Sequence, residues 1–328
     1  MKAYIGLLIL ILISTSHQME RPDFDQHLHL SRSQAEIAMD RIVPIHSANH
    51  NNGLGEFHPL KIHADVQGIQ HLKGSNPKMY SFMLDTLIPA CVKHMSDTFR
   101  VREQQQTAVT VGKCVDLPVP EAMKTPKNVD LILFFTAEAL KTDGFVAWAS
   151  PCQMHRTTMR PTAGRVNMNP FHLSYDKKLF FDQFATTLHE IYHIMGFSKS
   201  LYQYYINPST LKRKVLSDTY FVDESATLKF MLRSPLVLAH AKQHFNCNTL
   251  KGIPVEDDGG SGSAGSHWEK IVLGNEVMVA NTVANPVVSK FTLKLLEDSG
   301  WYQINYDMTE PFFWGKGTGC SIFNGQCS

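Results

Sequence analysis

The sequence predicts an α+β fold: strands first, then one strong helix, then a second half that is largely helical and irregular. Three observations predict it. Residues 129–135, apolar but for Asp130, read as a buried strand, residues 178–195 carry apolar side chains along one helical face, and residues 211–245 read as mainly helical. The chain has 328 residues, which allows two modest domains or one large domain with a removable leader. Hydrophobic residues make up 43% and charged residues 19%, a globular composition. With 31 basic against 30 acidic residues, the net charge is +1, so no electrostatic footprint for nucleic acid is present.

The elements follow in order. Lys2, the apolar stretch 5–13 and the small residues Ser14, Thr15 and Ser16 predict a signal peptide over 1–16. That stretch is about half of the ~20 residues needed to cross a bilayer. The expected location is therefore secreted or lumenal (extracellular or vacuolar), with no membrane span after cleavage. Residues 17–58 are polar, carry His27, His29, His46 and His50, and read as a propeptide. From 59 to 199 the expected elements are a strand at 60–64, a helix over 78–100 and strands at 129–135, 144–149 and 164–170. The helix 178–195 closes this part, with Phe180, Phe181, Phe184, Leu188 and Tyr192 on or near its apolar face and Gly196 as its C-terminal stop. Residues 200–328 hold the mainly helical stretch, a glycine-rich loop at 257–265, a helix over 290–299 and an aromatic tail.

Six cysteines in an exported chain suggest disulfides, although six allow 15 pairings. None is spaced as CxxC, which argues against a cysteine zinc site. No Asn-x-Ser/Thr acceptor with a permitted middle residue occurs, so N-glycosylation is not expected.

The chemistry is concentrated in His189-Glu190-Ile191-Tyr192-His193. Positions i and i+4 share a helix face, so both imidazoles can reach one metal ion, while the glutamate between them can reach a metal-held water. An apolar helix that carries three such groups without a purpose is costly. Catalytic zinc takes three protein ligands as a rule. Many metzincin proteases place the third histidine three residues after the glycine that follows the pair, and here that slot is Lys199. The downstream candidates are His240, His244 and His267, or Glu224 if the chain is an aminopeptidase that uses a carboxylate. His267 is preferred: it follows the glycine-rich run and opens Ser266-His267-Trp268-Glu269, with Met278 eleven positions later. His240 and His244, four apart, suit a packed or solvated helix face better than a second metal site.

These pieces resemble a leishmanolysin-type metalloprotease. The matching residues are 189–198 (HEIYHIMGFS), 265–270 (GSHWEK), 275–278 (NEVM), 296–302 (LEDSGWY) and 160–167 (RPTAGRVN). The resemblance runs from about 59 to 327. It implies a metzincin-like two-lobed catalytic domain: an N-terminal lobe, 59–199, with a twisted mixed sheet and the zinc helix, and a C-terminal lobe, 200–328, that brings in the third ligand and a methionine turn. It implies one zinc ion on His189, His193 and His267, and Glu190 as the base that activates the zinc-bound water. Met278 would support the site, and Gly196 would permit the exit of the chain from the helix. Disulfides Cys114–Cys152 and Cys247–Cys320 are also implied. Cys327 is then without its usual partner, and Cys91 is a buried hydrophobe.

The sequence departs from the family pattern in two ways. No cysteine precedes Cys91 to latch the zymogen, and no cysteine-rich domain or lipid-anchor signal is expected. The expected partners are protein or peptide substrates, and the expected state is a monomer. The alternative is an inactive relative that serves in adhesion or binding.

Overall fold

The computed structural model describes residues 55–102, 107–141, 144–257 and 264–324. The expected signal peptide, the expected propeptide up to residue 54, most of the glycine-rich loop and Cys327 lie outside the described residues. The elements used below are β1 (His58–Pro59), β2 (Ile62–Gly68), α1 (Ile88–Thr98), β3 (Phe99–Val101), β4 (Leu131–Thr136), β5 (Ala147–Met154), β6 (Pro161–Met168), α2 (Phe180–Met195), β7 (Tyr220–Val222), β8 (Phe230–Leu232), α3 (Pro235–Phe245), β9 (Ile253–Pro254), α4 (Lys290–Asp298) and β10 (Gln303–Ile304).

The main sheet is mixed and open, in the order β2-β4-β6-β5. β2 runs parallel to β4 and β4 parallel to β6, whereas β5 lies antiparallel to β6 on one edge. β4 explains its own apolar run. Leu131, Leu133 and Phe135 enter the main core, and Ile132 and Phe134 enter a smaller cluster with Val109 and the Cys114–Cys152 disulfide. Alternate side chains of a strand point to opposite faces, so a strand buried on both faces has to be apolar throughout.

α1 continues a helical run that begins at Pro77 and passes through a π-helical segment, Met83–Leu87. Pro89 has no N–H to donate, and its ring crowds the carbonyl four residues back, which accounts for the widened turn just before it. α1 buries Ile88, Cys91 and Met95.

α2 packs against the sheet at β6. A β-carbon at Gly164 would lie 2.7 Å from Ile194 Cγ2, so only glycine lets the helix come this close. A small sheet, β1-β3-β10, joins the start of the described chain to its last third. His58 and Pro59 pair there with Val101 and Arg100, so the boundary expected at residue 58 falls within the folded structure. One continuous apolar core runs from Leu60 through Tyr192 and Trp268 to Ile304.

The stretch 211–245 differs from its mainly helical expectation. Only α3 is helical for more than one turn, and it is preceded by β7 and β8, which pair with each other, β8 pairing also with β9. Tyr220-Phe221-Val222 and Phe230-Met231-Leu232 are aromatic, branched and long apolar residues that suit a pleated strand, and Pro235 starts α3 at its first turn. The strand expected at 164–170 is longer and starts at Pro161. No helix among the described residues is long and apolar enough to cross a membrane.

Candidate metal centre

The site begins with the way α2 ends. Gly196 takes φ +145°, a conformation that side chains with a β-carbon rarely adopt, and its Cα faces the ring of Trp301. The chain therefore turns back at once, and the Phe197 carbonyl accepts a hydrogen bond from His193 Nδ1 at 2.7 Å. The last carbonyls of the helix are satisfied by tyrosines: Tyr302 donates to Met195 O and Tyr205 to Gly196 O, both at 3.1 Å.

A second segment forms a tight turn under α2. Val279 N–H donates to Glu276 O, and within that turn the Val277 carbonyl accepts from His189 Nδ1 at 2.7 Å. A third segment places His267. Lys199 N–H donates to Ser266 Oγ at 3.2 Å. Gly265, at φ +85°, lies against the Lys199 side chain, whose ammonium sits over the rings of Tyr220 and Phe230. Lys199, which occupies the slot where many metzincin proteases place their third ligand, thus supports the segment that carries His267.

These three segments bring three imidazoles together. The Nε2 atoms of His189, His193 and His267 are separated by 3.0 to 3.2 Å, and all three residues are buried. A carbonyl can only accept, so His189 and His193 carry their protons on Nδ1 and turn bare Nε2 lone pairs toward each other. Lone pairs facing at this distance repel unless a cation lies among them. Nitrogens ~2.0–2.1 Å from one tetrahedral zinc ion stand about 3.3 Å apart, close to the separations seen here. The ring-to-carbonyl bonds are the outer supports that fix such ligands in orientation. The residues thus fit a single metal ion.

The other sequence candidates lie elsewhere. Glu224 is exposed and paired with Lys229, and it is not part of the histidine cluster. His240 and His244 pack on Phe291, and His244 Nε2 donates to Trp314 O at 2.8 Å. Burial pushes the His240 imidazole down to about 4. This pair is a packed face. Glu190 is buried on α2 between the two histidines, and Met278 is buried directly after Val277. Cys114 is bonded to Cys152 and Cys247 to Cys320, while Cys91 is free and buried.

Sequence reasoning alone missed three residues. Glu276 is fully buried, and burial pushes its carboxyl up to about 7 against hydrogen bonds that pull it down. Trp268 donates its indole N–H to Thr292 Oγ1 at 3.0 Å. The available signal was a glutamate set directly before the apolar run Val277-Met278-Val279-Ala280.

The leishmanolysin family model matches residues 77–328. A leishmanolysin-like peptidase of Drosophila melanogaster is 35% identical over 233 residues, covering 61% of this chain and 34% of that protein. A leishmanolysin homolog of Crithidia fasciculata is 29% identical over 262 residues, covering 75% of this chain and 36% of the homolog. Leishmanolysin of Leishmania major is 27% identical over 249 residues, covering 74% of this chain and 39% of that protein. The chain spans between a third and two fifths of the length of these curated relatives.

Proposed function

The chain belongs to the leishmanolysin family, and on that premise we propose that it is a secreted zinc endopeptidase that hydrolyses protein or peptide substrates. The observation that carries this reading is the triangle of Nε2 atoms on His189, His193 and His267, two of them left bare because backbone carbonyls hold the ring proton on Nδ1. These residues would hold one zinc ion, which supplies a Lewis acid and makes water nucleophilic near neutral pH. Glu190 is the base: set one residue past His189, it takes a proton from the attacking water and passes it to the departing amine. Met278 lies under the site as support, and Gly196 lets the chain leave α2 sharply enough for Phe197 to hold His193.

In this reading the site forms the floor of a cleft between an N-terminal lobe, 59–199, and a second lobe, 200–328. The signal peptide over 1–16 directs export, and the segment that follows acts as a propeptide. The two disulfides suit an oxidising compartment.

Cleavage of casein by the purified chain, with and without a zinc chelator, is the test. Activity that the chelator removes and zinc restores is expected, and Glu190→Gln should abolish turnover while leaving one zinc per chain. A folded, zinc-loaded protein that cleaves nothing even after the segment before Pro59 is removed would overturn the enzyme reading in favour of a binding relative.

A further inference from the structure

Glu276 has no cationic partner among the described residues, although it is fully buried. Its Oε2 accepts from Met278 N–H at 2.6 Å, and its Oε1 accepts from Ser289 Oγ at 2.8 Å and Thr292 Oγ1 at 2.6 Å. A buried carboxylate without a counter-ion is costly, so a group that only accepts is here held among donors at considerable expense. The donors explain the position. Met278 N–H belongs to the turn whose Val277 carbonyl holds His189 Nδ1. Thr292, while donating to Glu276, accepts the indole N–H of Trp268, the residue next to His267. Trp268 N–H in turn donates to Met278 O at 2.9 Å. The first turn of α4 supplies Thr292, and Ser289 caps that helix by accepting from Phe291 N–H at 3.0 Å.

We propose that Glu276 is a positioning residue for the metal centre, joining the turn beneath His189, through Thr292 and Trp268, to the segment that carries His267. This rests on the zinc reading above. Glutamine would fill the same space, but its NH2 would face a donor and one of the three bonds would be lost. Removing a support of this kind weakens metal binding by about 10- to 100-fold.

The test measures zinc affinity by chelator competition and the visible spectrum of the cobalt-substituted protein for Glu276→Gln, Thr292→Val and Thr292→Ser. Glu276→Gln and Thr292→Val should each weaken zinc binding by at least about tenfold and shift the cobalt bands, while Thr292→Ser, which restores the hydroxyl, should stay within about threefold of the parent. If Glu276→Gln does not fold, the two Thr292 variants decide. Asp298→Asn serves as the comparator: Asp298 is buried and accepts from Leu236 and Val237 N–H at the start of α3, outside this network. The inference is overturned if the network variants hold zinc as tightly as the parent with unchanged cobalt bands, or if Asp298→Asn weakens zinc by the same factor. A parent that takes up no zinc overturns the metal reading and this inference with it. A parent that binds, with variants that match it, overturns this inference alone.

Discussion

Replacing Gly164 by alanine should loosen the contact that seats α2 on the sheet. The new β-carbon would lie 2.7 Å from Ile194 Cγ2, 2.8 Å from Cδ1 and 3.0 Å from Cγ1. Carbon atoms rest at about 3.5–4.0 Å, so three contacts are too short by about half an ångström to one ångström. Ile194 is fully buried and has little room to swing away, so an overpacking cost of about 1–3 kcal/mol is expected. Ile194→Ala alone should cost about 2–5 kcal/mol through the cavity it leaves. In the double variant the methyl at 164 enters space that Ile194 has vacated, so the two costs should fall short of their sum by about 1–2 kcal/mol. Urea denaturation of the four metal-free proteins closes the cycle. Costs that add within about 0.5 kcal/mol, or a Gly164→Ala protein as stable as the parent, would refute the packing argument.

Further outcomes follow from the same structure. Under the proposed reading His267→Ala should lose bound zinc, whereas Glu224→Gln should keep one zinc per chain by elemental analysis; the reverse would move the third ligand to Glu224. Changing Cys114 and Cys152 to serine opens a link across 38 positions and should lower stability by about 4 kcal/mol, read as a fall in the urea midpoint; no fall would contradict the entropic account. Burial holds His94 and His240 at about 4, against an ordinary 6.5. Between those values the unfolded chain takes up protons that the folded one refuses, so their contribution is complete above pH 6.5 and is lost as pH falls toward 4. Urea midpoints should decline from pH 7 to 4.5, and His94→Gln should flatten the decline; an identical slope would count against burial of His94 as a cause.

Local pattern revealed the parts whose pattern is local. The spacing of His189 and His193 on α2 and the two-faced burial of β4 each sit within one element, where period and burial coincide. His267 was legible through a distinctive motif rather than through any local rule. The β7–β8 pairing was not legible, because strand pairing depends on partners far along the chain and short aromatic runs suit either state. The Glu276 network was hidden for the same reason: its donors come from residues 278, 289 and 292, and only folding shows that they face one carboxylate.

The second and third histidines of the triangle are 74 positions apart. In a disordered chain, bringing such distant groups together costs about 4 kcal/mol of loop-closure entropy beyond a constant term. The fold meets that cost through its apolar core before any ion arrives, so the third imidazole stands at high effective concentration beside the other two. For an ion held there, escape requires more than breaking one nitrogen contact, because the loosened ring has nowhere to go until residues 264–279 lift from α2. Chelation therefore works as a clock on tertiary opening: the rate at which a strong scavenger strips the ion should follow how often that segment detaches.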